Sequence, residues 1–147
     1  MLSRFRFHAA ILFALLSFCV PPAHGQASDE DTDSDEKPAR LFQMGQDAHE
    51  AGDLQRAIEL YERAIKLEPE FPEAEYQRAS ALVSLNRLPE AEKGFLRAAE
   101  LQPEWSLPYL ALGKLYLRLE RLSDAEEKLV RSYELDGKNK AALIALS

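Results

Sequence analysis

From residue 41 onward the apolar positions follow a helical rhythm. Leu41, Met44, Gly45 and Ala48 recur at three- and four-residue intervals, as do Ala57, Leu60, Tyr61, Ala64 and Leu67. Each run is the buried stripe of an amphipathic helix, which predicts helices over 38–51 and 54–67. Gly52 follows the first run, as a left-handed residue after a helix end should, and Asp53 is placed to cap the second. The same two-helix pattern then returns. Ala57, Ala91 and Ala125 are spaced by 34 residues, as are Leu67, Leu101 and Leu135, and Pro69, Pro103 and Gly137. Aligned on these positions without a gap, the chain divides into units 38–71, 72–105 and 106–139, with 140–147 opening a fourth. A fixed period of this length marks a stacked repeat. Asn86 takes the place of Gly52 in the second unit and Glu120 in the third, the latter a poorer left-handed residue.

Small residues recur where paired helices must approach. The pattern sets Ala57, Ala91 and Ala125 against Gly45, Ala79 and Gly113 of the preceding helix, a close crossing of the ridge-in-groove kind. Pro69 and Pro103 fall just past the second helix of a unit, where a helix is expected to have ended, and Pro72 and Pro108 fall in the first turn of the next, where the missing N–H costs little. Phe71 and Trp105 are left to fill the corner between units.

With this spacing the chain resembles the tetratricopeptide-repeat family, whose pattern is W-x2-L-G-x2-Y, then A-x3-F, then P, over 34 residues. Unit one matches as Leu41-x2-Met44-Gly45-x2-Ala48, Ala57-x3-Tyr61 and Pro69, and unit three as Tyr109-x2-Leu112-Gly113-x2-Tyr116, Ala125-x3-Leu129 and Gly137. Unit two departs in its first half, at Glu75, Arg78, Ala79 and Leu82, and matches in its second, at Ala91-x3-Phe95 and Pro103. The resemblance implies an all-α, right-handed superhelical solenoid whose first helices line a concave groove for a partner peptide or helix. It carries the groove onto Phe42, Tyr76 and Leu110, continued by Ile144; onto Gln46, Ser80 and Lys114; onto His49, Val83 and Leu117; and onto Glu50, Ser84 and Arg118. Phe42, Tyr76 and Leu110 would anchor a protein partner, although Phe42 and Tyr76 fit a second role equally well, that of sealing neighbouring helices. Some members of the family clamp a chaperone's C-terminal carboxylate with lysine and asparagine. The matching positions here are Phe42, Gln46, Gln77, Leu107 and Ala111; none is a cation, so that clamp is not expected.

The segment ahead of the repeats has another character. Arg4, Arg6 and His8 precede an apolar run, Ala9–Val20, which Pro21 and Pro22 break before the small residues Ala23-His24-Gly25. That order predicts a signal peptide over 1–25, cleaved after Gly25 or after Ala27, because the run is shorter than the roughly 20 residues a spanning helix needs. No membrane span is therefore expected. Residues 26–37, QASDEDTDSDEK, read as an acidic, disordered linker. Its alternating Asp29, Asp31, Asp33 and Asp35 do not make a calcium loop, which needs glycine sixth and glutamate twelfth. Counting from Asp29 gives Ser34 and Arg40, and from Asp31 gives Glu36 and Phe42.

The formal charge of −7 becomes more negative once the signal segment is removed, which argues against nucleic acid as a partner. The single cysteine, Cys19, lies in that segment. The mature chain then has neither disulfide nor thiol nucleophile; lipid attachment at Cys19 is a minority alternative, since Phe18 stands where a small residue belongs. After cleavage His49 is the one remaining histidine, too few for a histidine metal cluster, and no glycine-rich phosphate loop is present. Catalysis, metals and cofactors are not expected. The Glu73/Glu75 and Glu126/Glu127 pairs read as solvated helix faces. At the far end Leu143, Ile144 and Leu146 offer a short cap or a self-association surface, or else belong to a helix of a longer repeat array. The reading is an exported interaction scaffold, periplasmic or secreted, or else an accessory subunit of a cell-envelope enzyme or assembly complex.

Overall fold

The computed structural model describes residues 37–137 and residue 144. The expected signal peptide, nearly all of the acidic linker, and Leu143 and Leu146 lie outside the described residues. Among those described there are six helices and no strand: α1 (Pro38–Glu50), α2 (Leu54–Leu67), α3 (Pro72–Ser84), α4 (Leu88–Leu101), α5 (Ser106–Arg118) and α6 (Leu122–Leu135). They form three antiparallel pairs, each packed on the next, and α1 also touches α3. The architecture is an all-α solenoid, with one helix pair in each predicted unit.

Local chemistry sets the boundaries. Pro38 and Pro72 open α1 and α3 at the first helical position, where their fixed φ suits a helix and no N–H is lost. Each pair turns through one left-handed residue, Gly52 (φ 80°), Asn86 (φ 59°) or Glu120 (φ 58°). In all three turns the N–H that follows closes back on the first helix: Asp53 to the Ala48 carbonyl, Arg87 to Leu82 and Arg121 to Tyr116, each at 2.9 Å. These bonds satisfy carbonyls that the helix end would otherwise leave free. The Asp53 carboxylate also accepts the Arg56 N–H at 3.2 Å, as its position predicts. Arg87 and Arg121 replace it in the later turns and reach forward instead, to Glu90 at 2.6 Å and Asp124 at 2.7 Å.

The central core joins all three pairs through Ile58, Ala79, Leu82, Ala91, Phe95, Leu112, Tyr116 and Ala125, while a smaller cluster of Leu41, Leu60 and Ala64 closes the first. Ala57, Ala91 and Ala125 are fully buried, yet the small residues opposite make room for different neighbours than the spacing suggests. A Cβ on Gly45 would stand 2.6 Å from the Tyr61 ring, and one on Gly113 would stand 2.5 Å from Leu129. The glycines admit the large side chain one turn beyond the alanine. In the middle pair the arrangement is exchanged: Ala79 carries a methyl, and Gly94 across from it has none, a Cβ there falling 2.9 Å from that of Ala79. Glu75 is a second departure. It is 6% exposed rather than solvated and pairs with Arg78 at 2.7 Å, because α3 turns this position inward.

Among the described residues, the outer side of the last pair is uncovered. Leu54, Leu88 and Leu96 pack against the central core, whereas their repeat equivalents Leu122 and Val130 are 67% and 41% exposed. Ile144 is helical and 72% exposed.

Candidate binding groove

The first helix of every pair contributes to one face, and that face is built by helical spacing. Gln46, His49 and Glu50 lie at three- and four-residue intervals on α1, Ser80 and Val83 on α3, and Ala111, Lys114, Leu115 and Arg118 on α5. Two depressions form between these helices. The first, of about 240 Å³, lies between α1 and α3 and is lined by Gln46, His49, Glu50, Gln77 and, from α2 beneath, Tyr61. The second, of about 280 Å³, lies between α3 and α5 and is lined by Ser80, Val83, Ala111, Lys114, Leu115 and Arg118, with Phe95 of α4 behind.

They differ in chemistry. In the second, Val83, Phe95, Ala111 and Leu115 supply apolar wall, while Lys114 and Arg118 are exposed cations one turn apart. The Arg118 guanidinium donates to the Asn86 side chain at 2.7 Å, a neutral partner that leaves its charge uncompensated. Lys114 has no ion pair among the described residues. The first depression is polar. Its Tyr61 is fully buried, and the hydroxyl has no hydrogen-bond partner among the described residues. Burial, reinforced by the Glu50 and Asp47 carboxylates, pushes the phenol up to about 12, so it keeps its proton and acts as a donor.

The residues assigned from sequence therefore fall into two groups. Gln46 and His49 line the first depression and Ser80, Val83 and Lys114 the second. Phe42, Tyr76, Leu110 and Leu117 line neither. Phe42 stacks at 5.7 Å on Tyr61 and 5.0 Å on Phe71, and Tyr76 at 5.5 Å on Phe95 and 5.0 Å on Trp105. These rings seal each pair against the corner residue that follows it. Leu117 packs against the central core and Leu110 is half-buried. Tyr61, Phe95 and Leu115 are lining residues that the spacing of the first helices does not reveal, because two of them rise from the second helix of a pair. A third depression, of about 670 Å³, lies between Tyr109 and the charged side chains of α6, on the last pair rather than on this face. Among the described residues no three His, Cys, Asp or Glu are grouped to hold a metal ion, and no helix is long and apolar enough to cross a membrane.

Comparison with known proteins gives the same fold. Residues 42–104 match the Tetratricopeptide repeat family model. A stretch of 58 residues, 40% of the chain, is 41% identical to the inactive TPR repeat-containing thioredoxin TTL3 of Arabidopsis thaliana, of which it covers 8%. The first TPR of Spaghetti (RPAP3), solved bound to the HSP90 peptide SRMEEVD, superposes with a TM-score of 0.73 at 26% identity, over 75% of this chain and 87% of that one. The second TPR domain of human RPAP3, in complex with the HSP70 peptide SGPTIEEVD, superposes with a TM-score of 0.69 at 26% identity, over 74% and 94%.

Proposed function

Because this chain is a tetratricopeptide-repeat protein, we propose that it is an exported protein-interaction scaffold, whose α1–α3–α5 face holds an extended segment or helix of a partner. The observation that carries this reading is the depression between α3 and α5. It offers Val83, Phe95, Ala111 and Leu115 to an apolar side chain beside two cations, Lys114 and Arg118. Burying one large apolar side chain there contributes about 1.5–3 kcal/mol, and Lys114 and Arg118 favour a carboxylate next to it. The solved neighbours bind chaperone peptides on the same fold. Here the positions that would clamp such a C-terminus are Phe42, Gln46, Gln77, Leu107 and Ala111, so the specificity belongs to the two depressions rather than to a clamp.

Selection of random linear dodecapeptides on the purified protein tests the reading. Ser80→Phe places the protein's own ring in the α3–α5 depression. The expected result is at least a tenfold loss of affinity for the selected peptides, with an unchanged melting temperature. If the Ser80→Phe protein binds the same peptides equally well, they do not use this groove. Export rests on residues 1–25. It predicts a mature chain starting at Gln26 or Ser28, read by N-terminal sequencing of protein recovered from the envelope or medium.

A further inference from the structure

Position 61 separates the first pair from the others. The repeat places Tyr61, Phe95 and Leu129 at equivalent points on α2, α4 and α6, and only the first bears a polar group. Its ring crosses above Gly45 at a distance that a Cβ on Gly45 would forbid, and Tyr61 forms the floor of the α1–α3 depression. A buried hydroxyl without a partner is destabilising, because it has given up its bond to water and gained none in return. An apolar phenylalanine in the same place, as in the second pair, would avoid that cost. The hydroxyl is thus a donor without a partner among the described residues, buried just beneath a depression whose rim carries Glu50, an acceptor, the His49 ring, and the amides of Gln46 and Gln77, which accept and donate.

We propose that this depression is a subsite for the primary carboxamide of an asparagine or glutamine side chain on the bound peptide. The inference rests on the groove reading above and adds the chemistry of one of its positions. A carboxamide accepts from Tyr61 through its oxygen and donates to Glu50 through its nitrogen, on two separate atoms, as a buried floor and an exposed rim require. A carboxylate accepts from Tyr61 but meets the negative charges of Glu50 and Asp47. An ammonium pairs with Glu50 and leaves the hydroxyl unsatisfied. A serine or threonine hydroxyl has one oxygen with which to serve both ends.

The same dodecapeptide selection, run on wild-type, Tyr61→Phe and Glu50→Gln proteins, tests it. Wild type is expected to enrich asparagine or glutamine at a fixed distance from the large apolar residue that fills the second depression. Tyr61→Phe removes one oxygen and keeps the ring. It is expected to lose that preference, to bind the best peptide roughly tenfold more weakly, and to melt no lower than wild type. Glu50→Gln, an exposed substitution, is expected to admit aspartate or glutamate at the carboxamide position. Peptides enriched without asparagine or glutamine, serine or threonine in their place, or unchanged affinity in Tyr61→Phe would overturn the subsite while leaving the groove intact. A selection that returns no peptide on wild type overturns both.

Discussion

The exchanged methyl in the middle pair makes a quantitative prediction. Alanine at position 94 would put a Cβ 2.9 Å from that of Ala79, well inside the 3.5–4.0 Å at which carbon atoms rest, and in a tight contact of 3.2 Å with the Glu75 carbonyl oxygen. Neither neighbour can rotate away, since one is fixed to the backbone and the other is backbone. α3 and α4 must therefore separate, and overpacking of this kind costs about 1–3 kcal/mol. Against this, glycine to alanine inside a helix returns about 1 kcal/mol. Gly94→Ala is then destabilised by about 1 kcal/mol. Ala79→Gly alone loses about 1 kcal/mol of helix propensity and about 0.8 kcal/mol for one buried methyl. If the sites were independent the double variant would lose about 3 kcal/mol. In Ala79→Gly/Gly94→Ala, however, the methyl has only changed helices. Propensity and burial cancel, the Cβ clash is gone, and stability returns to within about 1 kcal/mol of wild type. Urea denaturation of the four proteins followed by circular dichroism reads the cycle. A coupling energy of about 2–3 kcal/mol is expected, and additivity within about 0.5 kcal/mol would refute the reasoning.

Two further outcomes are expected. Glu120 holds a left-handed conformation that L side chains adopt at a cost of about 1–2 kcal/mol, so Glu120→Gly is expected to gain about 0.5–1 kcal/mol, a few degrees in melting temperature; a lower melting temperature would show that Glu120 contributes a contact there. Tyr61 and Tyr116 are both pushed up to about 12 from an ordinary 10.0, Tyr61 by burial and then Glu50, Tyr116 by burial and then its bond to Glu92. The folded state holds these protons more tightly than the unfolded one. Their contribution to stability is therefore intact below pH 10 and lost as the pH rises through about 12. Among the five tyrosines, ultraviolet titration should show a late-ionising fraction that Tyr61→Phe reduces.

Much of the fold is legible in the sequence because its determinants are local and repeated. A left-handed residue at 52, 86 and 120, a proline at 38 and 72, and an alanine at 57, 91 and 125 each act within a turn or between adjacent helices. Three phased copies then make one pattern out of weak signals. What the period hides is exchange between copies. Ala79 breaks the glycine rule of its neighbours, and the repair sits at Gly94, on another helix and at a position where the other units have Leu60 and Lys128. Glu75 is hidden for a related reason: a carboxylate on a first turn reads as solvated until packing turns it inward and Arg78 pairs with it.

The groove was legible as a face but not as two chemistries. Helical spacing on α1, α3 and α5 places Gln46, His49, Ser80, Val83 and Lys114 on one side of the molecule, and each of them lines a depression. The same spacing also selects Phe42 and Tyr76, for which the sequence leaves anchoring a partner and sealing neighbouring helices equally open. Their rings take the second role and close on Phe71 and Trp105, the corner residues that follow each pair, because an aromatic beside a helix junction gains more from a fixed ring neighbour than from an open groove. The floor comes from the second helices, where position alone says core. Tyr61, Phe95 and Leu129 are equivalent by that measure, and what distinguishes them is a single oxygen. A repeat alignment that asks where apolar chemistry turns polar within one core column, rather than which columns are apolar, would have singled out Tyr61. In the proposed groove, specificity would then be set from below, by substitutions in the packed layer that reach the surface only between helices.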